Sequence, residues 1–216
     1  EYAFFLLGDI RGRTVLDFGC GSGKCAVALR ARGARLIALD ISPHLLEVAR
    51  KRLEVHALTG DTEFVLASGH EMPIPDASVD VVFGSAILHH LDLRHAAAEV
   101  HRVLRPGGYA VFKEPVRDSR LFVLLRRLFP NRSEDISPFE YPLSRSQLRT
   151  FREPFIAGPS RRFDLPGTVL LKKLSGSAGL KQLSRRFDRG TLRVMPFLGA
   201  WAGVEVFQVR KRADGR

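Results

Sequence analysis

Between residues 14 and 114 the apolar positions fall into short β-branched runs, separated by longer stretches in which apolar residues recur at helical spacing. The runs are TVLDF, RLIALD, EFVLA, VDVVFG and GYAVFKE, and the stretches between them predict helices from about Ser22 to Arg32, Pro43 to Leu53 and Arg94 to Arg105. Strand and helix in alternation imply parallel strands joined by right-handed crossovers. The near-continuous apolar runs fit a sheet covered by helices on both faces. Ser42-Pro43 supplies a capping hydroxyl and a first-turn proline, and Arg105-Pro106-Gly107-Gly108 is expected to stop the last helix in a tight turn into a strand.

After Pro115 the pattern loosens. LFVLLRRLF (121–129) places apolar residues on one side and arginines on the other, and in YPLSRSQLRTF Ser144 is placed to cap a short helix. A leucine-bearing stretch from about Thr168 to Phe187 is interrupted by GSAG, and the closing WAGVEVFQVRK alternates like a last strand, expected to run antiparallel. The chain therefore divides into residues 1–115 and 116–216, read as two parts of one domain. Of its 216 residues 45% are hydrophobic, enough for one well-buried core with additions.

Charge sharpens this division. Residues 1–115 hold 13 Lys and Arg against 14 Asp and Glu, whereas residues 116–216 hold 21 against 9, so the whole excess of +11 comes from the second part. Such a field favours anionic small molecules, an acidic membrane surface or nucleic acid. No apolar run approaches the roughly 20 residues of a membrane span, and the N-terminal YAFFLL lacks the basic flank of a signal peptide. Cys20 and Cys25 are the two cysteines, which excludes a disulfide framework and sets the expectation of a reducing, cytoplasmic location.

The chemistry concentrates in VLDFGCGSG (15–23), a strand followed by glycines at alternate positions. A turn of this kind lets backbone N–H groups approach a ligand closely. The dinucleotide pattern G-x-G-x-x-G fails because Lys24 stands at the third glycine's place, and the phosphate-cradling G-x-x-x-x-G-K-[ST] fails at Phe18 and Cys25. What fits is an acid followed by G-x-G-x-G: Asp17, Gly19, Gly21 and Gly23. Asp40, closing the second strand, can accept hydrogen bonds from both hydroxyls of a ribose.

These residues, together with GHEMPIPDASVDVVFGSAILHHL and EVHRVLRPGGYAVFKEP, resemble the class I S-adenosylmethionine-dependent methyltransferases over residues 14–115, in the family's order and spacing. The resemblance implies a Rossmann-like fold, S-adenosylmethionine as cofactor, and an enzyme. It implies that the turn from Gly19 through Cys20, Gly21 and Gly23 lies against the ligand, that Asp17 attracts its ammonium, and that Asp40 holds its ribose. Ile41 is expected on the adenine face, Ser68 and Gly69 at the adenine edge, and Gly84 and Ser85 beside the methionine part. The chain departs from the family at Ser68, where an acid is usual.

For an acceptor whose proton must be removed, His89, His90 and Glu114 are the acid–base candidates by position. No metal site is expected, since the histidines share no H-E-x-x-H spacing. FGSAILHH stands where base-modifying members carry Asn/Asp-Pro-Pro-aromatic, so nucleic acid is disfavoured as a partner. The expected acceptor is a small organic molecule of the secondary-metabolite, quinone or lipid-like kind, anionic or amphipathic, with peripheral membrane contact left open by the basic amphipathic stretch. The alternatives weighed are an RNA methyltransferase using the basic second part and a non-catalytic binder of the same cofactor.

Overall fold

The computed structural model describes residues 1–116, 142–163, 165, 194–195 and 202–214. Its strands are β1 Thr14–Phe18, β2 Arg35–Asp40, β3 Thr62–Leu66, β4 Val79–Ser85, β5 Leu104–Pro115, β6 Ile156–Phe163 and β7 Val204–Arg210, in one sheet ordered β3-β2-β1-β4-β5-β7-β6. β1 is parallel to β2 and to β4, β3 is parallel to β2, and β5 is parallel to β4. Among the described strands β7 alone is reversed, antiparallel to both β5 and β6, so the expected mostly parallel sheet with an antiparallel C-terminal strand is what forms.

From β1 the chain winds outward through β2 and β3; from β4 it winds the other way through β5. Where winding reverses, the loops leaving two neighbouring strands diverge and open a crevice at their carboxyl ends. The glycine turn leaves β1 at that point, and Ser85 ends β4 beside it.

Alternation along each strand feeds two cores. Ala110 and Phe112 of β5 join Leu16, Phe18 and Phe207 on the face covered by α4 Leu93–Val103 and α5 Arg145–Arg152. Tyr109 and Val111 join Val15, Val81 and Phe83 on the face covered by α1 Tyr2–Leu7, α2 Lys24–Arg30 and α3 Pro43–Val55. Burying both faces explains why the strands read as apolar runs. Ser42 caps α3 by accepting from the Leu45 N–H at 3.3 Å, and Ser144 with Gln147 forms a capping box on α5, both as the sequence predicts. At the other end of α4 the buried Lys211 ammonium donates to the carbonyls of His101 (2.8 Å) and Leu104 (2.9 Å).

One element departs from expectation, and two more were not predicted. α4 ends at Val103, and Arg105-Pro106-Gly107-Gly108 bulges out of β5 rather than turning into it: between the pairs Val79–Leu104 and Val81–Tyr109, β5 advances five residues while β4 advances two. Arg105 pins the bulge to Asp80 at 2.6 Å. β6 contains Gly158-Pro159, which reads as a break, yet an edge strand tolerates it by shifting register between Ala157 and Ser160. YAFFLL forms α1, held by the Tyr109 hydroxyl donating to the Leu7 carbonyl and by Gln208 Nε2 donating to the Leu6 carbonyl at 3.0 Å.

The amphipathic stretch 121–129 and the leucine-bearing stretch from Thr168 to Phe187 lie outside the described residues. Among the described residues no helix is long and apolar enough to cross a membrane.

Candidate cofactor and acceptor site

Gly19, Gly21 and Gly23 all take left-handed backbone, with φ of 73°, 51° and 77°. A Cβ on Gly19 would come within 2.5 Å of Ile87 Cδ1, and one on Gly23 within 2.9 Å of Ala49 Cα, so both ends of the turn are packed tight. A Cβ on Gly21 would meet nothing within 4 Å among the described residues. The middle of the turn therefore presents bare backbone to open space, while the Gly19 and Cys20 N–H groups are tied to the Leu39 carbonyl at 2.9 Å.

Two carboxylates underlie this turn. Asp40 accepts from the Gly21 N–H at 2.8 Å through Oδ2 and from the Ser42 N–H at 2.9 Å through Oδ1. A carboxylate has about four lone-pair positions, so each oxygen retains capacity for another donor. Asp40 thus shapes the turn and the start of α3, where the sequence reading assigned the helix-side role to Ser42 alone. Asp17 is 2% exposed, and its Oδ2 has no hydrogen-bond partner among the described residues. Burial, and after it the charge of Asp40, raise its carboxyl to about 7. Burial also pushes up the thiols of Cys20 and Cys25, the latter to about 11, so both are protonated and sit as small packing groups.

The remaining cofactor candidates lie at or just after the carboxyl ends of β2, β3 and β4. Ile41, next to Asp40, is 72% exposed, an apolar side chain left in solvent at the end of β2. Ser68 Oγ accepts from the His70 N–H at 3.2 Å and lies 3.4 Å from His70 Nδ1, while His70 Nε2 accepts from the Asp92 N–H at 2.8 Å. Gly69 is buried, and a Cβ there would strike the Phe18 ring at 2.7 Å. At Gly84 a Cβ would strike the Phe112 ring at 2.5 Å, and the half-buried Ser85 follows at the strand end.

Glu114 is fully buried near the end of β5. Its Oε1 accepts from the Ile87 and Leu88 N–H groups at 2.9 and 3.0 Å, and its Oε2 lies 3.0 Å from His89 Nδ1. One carboxylate therefore holds the loop after β4 and orients an imidazole whose side chain is nearly buried. The exposed His90 ring lies against the His89 ring, with 4.1 Å between centroids. Among the described residues no three His, Cys, Asp or Glu side chains converge as metal ligands. Sequence reading missed Ile87, which wedges against both Gly19 and Gly84, and it missed Glu205. The signal for Glu205 was there: one acid inside the apolar alternation VEVFQVR.

Strand order, switch-point crevice and acid-glycine turn together define a class I type of methyltransferase architecture. Residues 16–112 match the family described as "Methyltransferase domain". A malonyl-[acyl-carrier protein] O-methyltransferase of Serratia marcescens is 43% identical over 103 residues, 47% of this chain and 38% of that protein. An O-methyltransferase of Aspergillus nomiae is 36% identical over 104 residues, 47% of this chain and 46% of that protein. The match thus spans less than half the length of either relative. Among solved structures, geranyl diphosphate C-methyltransferase from Streptomyces coelicolor, in complex with Mg2+, geranyl diphosphate and S-adenosyl-L-homocysteine, shares the fold at a TM-score of 0.69 and 17% identity, covering 97% of this chain and 79% of that one.

Proposed function

We propose that the protein transfers a methyl group from S-adenosylmethionine to a small organic acceptor. The observation that carries this is the buried Asp17 oxygen under the glycine turn, which has no partner among the described residues. A carboxylate left this way is destabilised, and a cationic amino group supplies both the missing hydrogen bond and the counter-charge. Asp40 retains acceptor positions for the ribose hydroxyls, Gly21 offers bare backbone, and Ile41 offers an apolar surface for adenine, with Ser68 and Gly69 at its edge and Gly84 and Ser85 beside the methionine part.

Bound there, S-adenosylmethionine supplies a methyl carbon already carrying a good leaving group. The chain's own work is then to hold the acceptor atom about 3 Å from that carbon and to exclude water. For a hydroxyl acceptor His89 takes the proton, and Glu114 fixes the ring that takes it. For a carboxylate acceptor positioning suffices. The relatives named as O-methyltransferases favour oxygen as the methylated atom.

A thermal-shift comparison of S-adenosylhomocysteine with NAD tests the cofactor half: the first should raise the unfolding midpoint and the second should not. Asp40→Ala should weaken S-adenosylhomocysteine by about 1–3 kcal/mol in calorimetry. Transfer of labelled methyl to a panel of carboxylic acids and phenols tests the acceptor half. An equal response to NAD, or none to S-adenosylhomocysteine, overturns the reading.

A further inference from the structure

Glu205 of β7 stands opposite Glu114 of β5 and Arg162 of β6. Directly paired antiparallel residues point to the same face, so the three form one row, a residue short of the end of β5. Glu205 is 3% exposed and fully engaged: Oε1 accepts from Arg152 Nη2 at 2.6 Å and Ser160 Oγ at 2.9 Å, and Oε2 from Arg162 Nε at 3.1 Å and Nη2 at 2.8 Å. That fills the roughly four lone-pair positions of a carboxylate. Glu114 faces two backbone N–H groups and His89, three contacts against the four of Glu205.

Arg152, at the end of α5, comes out of this arrangement short of acceptors. Its Nε–H is buried without a partner among the described residues, its guanidinium carbon lies 3.9 Å from the centre of the Phe207 ring, and 26% of its side chain remains exposed. Glu205 and Phe207 orient a rigid, planar donor set at the carboxyl edge of the sheet, next to the His89–Glu114 pair, and Glu205 has no position left for the Arg152 Nε–H. We infer that Arg152 is an anion-binding residue of the acceptor pocket, taking a carboxylate or phosphate oxygen of the small molecule to be methylated. The inference rests on the methyl-transfer reading for the identity of its ligand as acceptor. β7 is three strands from β1, about 14 Å at the usual strand spacing, so an anion there does not compete with a ligand on the glycine turn.

Calorimetry with malonate and with inorganic phosphate, each with and without S-adenosylhomocysteine, tests this on the wild-type chain, Arg152→Met and Glu205→Gln at low ionic strength. One of the two anions should bind the wild type, and which one binds tells a carboxylate acceptor from a phosphate ester. Arg152→Met should lose at least tenfold in anion affinity and keep its affinity for S-adenosylhomocysteine. Glu205→Gln, which releases both guanidiniums, should bind the anion several-fold more tightly and gain more in unfolding midpoint from it, the opposite of what a merely structural acid would do. Absence of anion binding by the wild type, an unchanged affinity in Arg152→Met, or no gain in Glu205→Gln overturns the inference. Failure of the methyl-transfer reading would appear separately, as a wild-type chain that ignores S-adenosylhomocysteine.

Discussion

Asp17 shows how a single residue can be set against the fold that contains it. Its carboxyl is raised from 3.8 to about 7 by burial and by Asp40. The folded state then binds the proton more tightly than the unfolded chain, so this contribution to stability is fully present below about pH 4 and is lost as pH rises toward 7. Urea unfolding of the unliganded protein should show a decline across that window, on the order of a few kcal/mol at about 1.4 kcal/mol per pH unit. Asp17→Asn, which carries no titrating proton, should flatten it. A ligand whose amino group neutralises Asp17 draws the carboxyl back down, so calorimetry below pH 7 should find proton release accompanying S-adenosylhomocysteine binding. That Asp17 would be buried under the turn is legible in VLDFG, where a carboxylate interrupts an apolar run. That one of its oxygens would lack a partner among the described residues is not, because the surrounding donors are spent on Leu39 and Asp40 by the way β1 and β2 register.

At the level of elements, the glycine turn separates two uses of the same residue type. Gly19→Ala places a methyl 2.5 Å from Ile87 and should cost stability through overpacking as well as backbone strain, about 2–4 kcal/mol together. Gly21→Ala meets no neighbour, so chemical denaturation should record only the strain of a positive φ, about 1 kcal/mol, while its methyl occupies the space in front of the turn and should lower cofactor affinity by at least tenfold. The loop after β4 depends on Glu114 in a comparable way. Ala86 there adopts φ 57°, a conformation that persists only when its surroundings impose it, and the two N–H groups that follow are the ones Glu114 holds. Glu114→Gln should reduce stability by about 1–3 kcal/mol and slow methyl transfer, while leaving S-adenosylhomocysteine binding unchanged. The loop's LHHL was readable as a site segment; its dependence on an acid 25–27 residues further on was not.

Across the whole molecule, the last strands and the first helix close the sheet on each other. Tyr109 of β5 reaches the Leu7 carbonyl 102 residues away, and Gln208 of β7 reaches the Leu6 carbonyl. Tyr109→Phe should cost about 1 kcal/mol in thermal unfolding, the net value of one such hydrogen bond. The sequence by itself determined the alternation of strand and helix, the caps at Ser42 and Ser144, and the acid-glycine turn with Asp40, because each is written in periodicity or spacing within a few dozen residues. Tertiary structure alone decided what surrounds those residues: Ile87 against Gly19, Glu205 between Arg152 and Arg162, and the missing partners of Asp17 and Arg152. Hydrogen-bond saturation and burial are sums over neighbours brought together from 45 and 53 residues apart, and no local pattern carries such a sum.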